Sequence, residues 1–106
     1  MGKAKTALFT DRQNILADMA KALAHPARIA ILEYLMTKGS CVCGDIVNEL
    51  PLSQSTVSQH LRAMKEVGII RGNIEGTYVC YCLDEDCCQE AATLFNQLFS
   101  KLKSCC

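Results

Sequence analysis

The sequence has no tryptophan, only two prolines and an aromatic content of 6%, so a folded core must consist mostly of aliphatic side chains and methionine. Basic and acidic side chains are equal in number, 11 of each, and the basic surplus that is common in nucleic-acid-binding domains is absent. No apolar run is long enough to cross a membrane, and residues 1–20 lack the apolar stretch of a secretory signal. These absences predict one cytoplasmic domain over residues 1–106 that makes no membrane contact.

Cysteine, by contrast, is abundant, with eight in 106 residues. An even number of cysteines in a short chain indicates a disulfide framework only in a secreted protein, so we expect reduced thiols here. Thiolates are soft ligands that select thiophilic ions. The cysteines form four close pairs, which are Cys41/Cys43, Cys80/Cys82, Cys87/Cys88 and Cys105/Cys106.

Apolar residues at helical spacing predict two helices in the first third of the chain. The first begins at a capping box formed by Thr10 and Gln13. The second has Pro26 at its first position, where a missing backbone N–H is tolerated, and Gly39 at its end. The segment before the first helix, residues 1–8, is expected to be a flexible arm.

The middle of the chain predicts a helix-turn-helix. Residues 40–43 are expected to be a short extended link, and residues 44–50 to form the third helix. A tight turn follows, and Ser53 is a favourable N-cap for a fourth helix that ends at Gly68.

After the fourth helix the apolar period changes from helical to alternating. Two strands over residues 69–73 and 77–83 predict a β-hairpin, and a hairpin directly after a helix-turn-helix is a wing. Asp84 then begins a last helix that, with its cysteine tail, covers residues 84–106. The predicted fold is mainly α with one β-hairpin, a winged helix-turn-helix in the order α-α-α-α-β-β-α.

The fourth helix places short polar side chains opposite its apolar residues Val57, Leu61 and Met64. Glutamine pairs with adenine edges, serine with several bases, and arginine with guanine or phosphate. Such a face is commonly only solvated, but the turn before it and the wing after it favour DNA reading. His25 and His60 are expected to be structural. The predicted DNA contacts, the last three of them to phosphates, are Gln54, Ser55, Ser58, Gln59, Arg62, Lys65 and Arg71.

The chain resembles the ArsR/SmtB family of bacterial metalloregulatory repressors in several segments that occur in the same order. These segments are residues 23–32, 41–46, 52–70 and 76–81. The resemblance implies a homodimer that pairs through its first and last helices and binds inverted-repeat operator DNA without a required cofactor. It also implies that an inducer releases the DNA.

Cys41 and Cys43 are similar to the Cys-Val-Cys box of the family's arsenite and antimonite sensors and of its cadmium/lead sensors. In the arsenic sensors a third cysteine follows three residues later, where this chain has Ile46, so the third thiolate is unassigned. Cys105 and Cys106 are similar to a vicinal pair near the end of the last helix in some arsenic sensors. The resemblance therefore implies these two cysteine pairs as ligands of As(III) or Sb(III), which acts as the inducer.

The remaining pairs, Cys80/Cys82 and Cys87/Cys88, are interpreted as packing before ligation. The dipole at the start of the last helix is expected to favour the thiolate forms of Cys87 and Cys88. Alternative functions are a thiol-redox, persulfide or cadmium/lead sensor on the same fold, or a metal-buffering protein without a DNA role. No arrangement of nucleophile and base favours an enzyme.

Overall fold

The computed structural model describes residues 8–39, 41–43, 46, 50–75 and 78–102, and for residues 43, 74, 75 and 78 it describes the backbone alone. No helix among these residues has the length and hydrophobicity that are needed to span a membrane. The described elements are α1 (Asp11–Ala22), α2 (Pro26–Thr37), β1 (Cys41–Cys43), α3 (Gln54–Glu66), β2 (Ile70–Glu75), β3 (Tyr78–Leu83) and α4 (Glu85–Phe99).

The first two helices begin where local sequence predicts. The Thr10 side chain accepts a hydrogen bond from the backbone N–H of Gln13 at 3.1 Å, and the Gln13 side chain accepts one from the backbone N–H of Thr10 at 3.0 Å. The capping box is thus confirmed. His25 caps α2, its Nδ1 atom accepting from the backbone N–H of Ala27 at 3.0 Å, and Pro26 follows at the first helical position.

The helix ends are also set locally. Gly39 and Gly68, which follow α2 and α3, have φ values of 83° and 86°, a conformation that glycine adopts without a steric penalty. The last helix is shorter than predicted, because it ends at Phe99. There the Ser100 hydroxyl donates to the carbonyl of Gln97 at 2.9 Å, which competes with continued helical bonding. Residues 103–106 lie outside the described residues.

The hydrophobic core lies where α2 and α3 pack against the sheet. Ile31, Leu35, Val57, Met64 and Ile70 are fully buried and come from both helices and from β2. Burial of such side chains stabilises a fold by about 1.5–3 kcal/mol each. The core therefore fixes the orientation of α3 relative to the hairpin that follows it.

The sheet has one strand more than the sequence predicts. Residues 41–43, expected to be an extended link, form β1, and the antiparallel strand order is β1-β3-β2. The described elements therefore follow the order α-α-β-α-β-β-α. The helix predicted over residues 44–50 lies outside the described residues except for Ile46, which is buried, and Leu50. The fold is a winged helix-turn-helix. In it β3 of the wing pairs with β1, the strand that precedes the helix-turn-helix.

Candidate DNA-binding face and cysteine site

The outer face of α3 carries most of the residues that the sequence assigns to DNA. Ser53 caps the helix, its Oγ atom accepting from the backbone N–H of Thr56 at 3.3 Å. Val57, Leu61 and Met64 are buried on the inner face, which leaves the opposite face to solvent. All of the predicted contact residues are exposed, namely Gln54, Ser55, Ser58, Gln59, Arg62, Lys65 and Arg71.

Lys65 links the end of α3 to the wing. Its Nζ atom lies 3.1 Å from the position that a Cβ atom would take at Gly72 of β2, and the ring of Tyr81 lies 3.3 Å from the same position. The absent side chain of Gly72 therefore makes room for the lysine. Arg62, Lys65 and Tyr81 border one groove between the helix and the sheet. This arrangement offers two cations to a phosphate backbone that follows the groove.

His60 holds α3 onto the first two helices. Its Nδ1 atom accepts from Nε of Arg28 at 3.0 Å, and its ring centroid lies 4.4 Å from that of His25. Burial lowers the pKa of His60, and the charges of His25 and Arg28 lower it further. Arg28 also donates to the carbonyls of Lys21 and Ala22 at 3.2 Å. Both histidines are therefore structural, as the sequence predicts.

Cysteines face cysteines where β1 pairs with β3. The Cα partners are Cys41 with Cys82 and Cys43 with Cys80. Cys41 and Cys82 form a disulfide bond with Cα atoms 4.0 Å apart, and Cys80 is also disulfide-bonded. The expectation of reduced thiols is therefore wrong for Cys41, Cys80 and Cys82 in this structure, whereas the burial of Cys80 and Cys82 agrees with the packing role expected of them. The physical reason is that directly opposite side chains on paired strands lie within bonding distance.

This cysteine face of the sheet lies opposite the face that packs against the main core cluster, although Cys80 and Cys82 are themselves buried. Val42 and Tyr81 pack against the core, and the alternation of side chains along a strand places Cys41, Cys80 and Cys82 on the other side. Cys80 and Cys82 of the central strand β3 are only 4% and 8% exposed, whereas Cys41 lies exposed on an edge strand. A ligand from solvent therefore reaches this face from β1.

Strand β2 flanks the same face with polar residues. Arg71 is the Cα partner of Cys82, and Asn73 is the partner of Cys80. Both β2 residues are exposed. The side chain of Arg71 also borders a shallow recess that the acidic residues 84–86 line at the start of α4. Arg71 thus lies near these carboxylates, and its contact with a DNA phosphate stays a prediction.

Cys87 and Cys88 are the free cysteines of the described residues, and they lie at the start of α4. Their thiols contact the carbonyl oxygens of Val67 at 3.6 Å and Ile69 at 3.8 Å, respectively. Burial is the largest cause of a raised pKa for both thiols, and the Asp84 carboxylate raises each pKa further. The expectation that the helix dipole favours their thiolates is therefore wrong, because burial and nearby carboxylates outweigh it.

The tail cysteines that the resemblance implies as ligands, Cys105 and Cys106, lie outside the described residues, as does the side chain of Cys43. Among the described side chains no group of three or more Cys, His, Asp or Glu residues is arranged to hold a metal ion. The β1–β3 face is where the described cysteines of separate elements meet. We therefore take this face as the candidate sensing site.

The known sequences that are similar to this chain include those of transcriptional regulators. Residues 25–71 match the family model for "Bacterial regulatory protein, arsR family". The chain is 39% identical over 83 residues to an uncharacterized HTH-type transcriptional regulator, MJ1325, of Methanocaldococcus jannaschii, with 77% of this chain and 92% of that protein covered. It is 36% identical over 87 residues to a cadmium resistance transcriptional regulatory protein CadC homolog of Staphylococcus aureus, with 81% and 71% covered.

Solved structures share the fold. A possible transcriptional regulator for arsenical resistance superposes with a TM-score of 0.66 at 26% identity, with 77% of this chain and 84% of that chain covered. An ArsR-like transcriptional regulator from Rhodococcus sp. RHA1 superposes with a TM-score of 0.71 at 19% identity, with 87% and 86% covered. At the latter identity the similarity is one of fold, and it agrees with the winged helix-turn-helix described above.

Proposed function

Because the chain belongs to the ArsR family of helix-turn-helix transcriptional regulators, we propose that it is a repressor controlled by trivalent arsenic. In this proposal the repressor is a homodimer that binds an inverted-repeat operator in the cytoplasm. Arsenite or antimonite binds the thiolates of Cys41 and Cys43, and the operator is released. The relatives are transcriptional regulators, and regulators of this family bind operator DNA.

One observation carries the proposal: Cys41 and Cys43 lie on a strand that is hydrogen-bonded to the wing. β1 pairs with β3, and β3 pairs in turn with β2. An ion held by thiolates of β1 therefore acts on a sheet that includes the wing, next to the reading helix α3. A coupling free energy of ~1–3 kcal/mol between the two sites corresponds to roughly 5–150-fold weaker DNA binding.

The choice of inducer follows from ligand chemistry and from the relatives. Thiolates select soft ions, a class that contains trivalent arsenic and antimony as well as cadmium and lead. The CadC homolog is named for cadmium resistance, and the structure at 26% identity is that of a possible regulator for arsenical resistance. We place arsenic first because residues 41–43 resemble the box of arsenic sensors and residues 105–106 resemble their vicinal pair. Cadmium and lead sensing are the nearest alternatives.

The homodimer is supported by apolar residues that the single chain leaves exposed. Ile15 of α1 and Leu98 and Phe99 of α4 are 39%, 44% and 67% exposed, and Leu102 beyond α4 is 80% exposed. The helices α1 and α4 contact each other, so these side chains belong to neighbouring elements. Pairing of two copies through them would place two α3 helices on half-sites about one DNA turn, roughly 34 Å, apart.

The test is fluorescence anisotropy of an operator fragment from the protein's own promoter, with reduced protein under anaerobic conditions. Arsenite is expected to release the wild-type protein and to leave Cys41→Ser/Cys43→Ser bound. The matched control is Cys87→Ser/Cys88→Ser, which removes the same number of thiols elsewhere and is expected to respond as the wild type does. Arsenite-driven release by Cys41→Ser/Cys43→Ser would contradict the assignment, and release by cadmium but not arsenite would make cadmium the inducer.

A second candidate, thiol-redox sensing, is favoured by the disulfide between Cys41 and Cys82. Here hydrogen peroxide takes two electrons and two protons from the two thiols. One S–S bond forms, the O–O bond breaks, and two molecules of water leave. Oxidation then takes the place of ion binding and joins the same two strands. This candidate predicts release by peroxide without arsenic, loss of two hydrogen atoms in the mass spectrum, and no release for Cys82→Ser. Operator binding that ignores peroxide would exclude it.

A further inference from the structure

The pairing of β1 with β3 brings together four cysteine positions of the backbone, two from each strand. We call Cys41, Cys43, Cys80 and Cys82 the cysteine rectangle, because their Cα positions form two directly opposite pairs on adjacent strands. Residues that alternate along a strand share a face, and opposite residues of an antiparallel pair share that face as well. The disulfide between Cys41 and Cys82 places sulfur atoms from the two strands in contact.

We propose that Cys80 and Cys82 belong to the same thiolate site as Cys41 and Cys43, so that arsenite bridges β1 and the wing strand β3. This inference rests on the proposed function and extends it by naming the missing ligands. The position at which arsenic sensors of the family carry their third cysteine is Ile46 here, and its side chain is buried, 3% exposed, in the core. The described cysteines that lie opposite Cys41 and Cys43 are Cys82 and Cys80 of β3, which makes them our candidates for the third sulfur.

Binding of arsenite to the thiols exchanges ligands on the arsenic and does not change its oxidation state. Arsenite enters as the trihydroxide, and each thiol that reacts exchanges one As–O bond for one As–S bond. The thiol proton leaves with the hydroxide as water, so three thiols release three molecules of water. The Cys41–Cys82 disulfide and the disulfide that contains Cys80 first need a reductant, a dithiol in the cell or a phosphine in the test. The reductant supplies two electrons for each disulfide, and two protons are taken up for each.

The position of the rectangle also indicates how an ion acts on DNA binding. Arg71 and Asn73 of β2 are the Cα partners of Cys82 and Cys80, and both are exposed. Arg71 is one of the predicted phosphate contacts, so the ion site and a DNA contact lie on opposite edges of β3 but on the same face of the sheet. An ion that draws β1 and β3 together thus changes the shape and charge beside Arg71.

The test compares the full-length Cys80→Ser/Cys82→Ser variant with the wild type and with Cys87→Ser/Cys88→Ser as the matched control. All proteins are reduced with a phosphine and freed of it, because dithiol reductants bind arsenite themselves. Two ligands are titrated: arsenite, which has three exchangeable positions, and phenylarsine oxide, which has two. The readouts are the dissociation constant and the number of thiols that become protected from a colorimetric thiol reagent.

We expect arsenite to protect three thiols in the wild type and in the matched control, and two in Cys80→Ser/Cys82→Ser. Mutation of a residue that only hydrogen-bonds to a metal ligand commonly weakens metal binding by about 10–100-fold. Loss of a ligand itself is therefore expected to weaken arsenite binding by at least about 10-fold. Phenylarsine oxide is expected to bind all three proteins within about threefold, since Cys41 and Cys43 remain. Cys80→Ala/Cys82→Ala, with the same expectations, replaces the serine variant if the buried hydroxyls prevent folding.

Failure of this inference and failure of the proposed function give different experimental results. Equal arsenite affinity and equal thiol protection in all three proteins would overturn the inference and leave the proposed function standing. Phenylarsine oxide that binds none of the proteins would overturn the proposed site itself. A loss of arsenite affinity in Cys87→Ser/Cys88→Ser equal to that of the β3 variant would also count against the rectangle.

Discussion

At the β1–β3 face, Cys41 and Cys82 come from separate strands and their sulfur atoms join in a disulfide, whereas Cys87 and Cys88 are neighbours on α4 that each contact a backbone carbonyl. The first group lies on the face of the sheet opposite the one that packs against the main core cluster, with Cys41 exposed to solvent. The second group packs against the core cluster, and burial raises the pKa of both thiols.

The difference shows that proximity in sequence is a poor guide to shared chemistry. Adjacent residues on a helix project about 100° apart around its axis, so their side chains diverge. Residues that alternate along a strand point the same way, and a paired strand brings a second set beside them. The spaced Cys-x-Cys segments therefore converge, while the vicinal pair of α4 separates into two packing residues.

The largest expected difference between the two groups is in thiol reactivity. In the reduced, folded protein Cys41 should react with iodoacetamide roughly 10- to 100-fold faster than Cys87 or Cys88, because the α4 thiols are shielded and have raised pKa values. Timed quenching and peptide mass mapping measure the three rates. The rates should converge in denaturant, and equal rates in the folded protein would remove the contrast.

The second prediction concerns the cap that holds the α4 pair in place. The Asp84 side chain accepts from the backbone N–H of Cys87 at 3.0 Å. Asp84→Ala should lower the free energy of unfolding by ~1 kcal/mol, and urea unfolding of the reduced protein measures it. Asp86→Ala, an exposed change in the same helical turn, should cost only a few tenths of a kcal/mol. Equal costs would show that the cap contributes nothing specific.

The third prediction is a loss of stability at alkaline pH that arises from the α4 pair. The unfolded chain loses the thiol protons near the ordinary pKa of 9.0, while the folded protein keeps them because the pKa of each thiol is raised. Their contribution is therefore fully present below about pH 9 and decreases as pH rises through the folded pKa values. Urea unfolding between about pH 8 and about pH 10.5 should show a shallower decline for Cys87→Ala/Cys88→Ala than for the wild type. Parallel curves would contradict the assignment.

The smallest expected effect is that of Asp84→Asn, which separates the charge of Asp84 from its role as the N-cap of α4. Asp84→Asn keeps an N-cap of similar quality but removes the carboxylate that raises the pKa of Cys87 and Cys88. The pKa of each thiol should fall, and alkylation near pH 8 should become about two- to threefold faster with little change in stability. Cys41 in the same samples is an internal reference. A rate that is unchanged for all three thiols would exclude the Asp84 carboxylate as a cause of the raised pKa values.

Much of the winged helix-turn-helix follows from local sequence. The capping box at Thr10, the proline at the start of α2, the Ser53 cap and the hairpin of β2 and β3 depend on residues that are close together in the chain. For the same reason the exposed face of α3 was predictable, since helical period alone separates Gln54 or Ser58 from buried Val57. The strand β1 was not predictable as a strand, because three residues are too short to display a period and its partner lies far along the chain.

The sequence by itself determined the winged helix-turn-helix, the polar face of α3 and the alternation that puts both cysteines of each Cys-x-Cys segment on one side of a strand. Only the tertiary structure decided that β1 pairs with β3 in the register that sets Cys41 against Cys82 and Cys43 against Cys80. Only the tertiary structure, again, decided that burial opposes ionisation of Cys87 and Cys88. The physical reason is the same in both cases: periodicity and caps act between near neighbours, whereas strand register and burial depend on how distant segments pack.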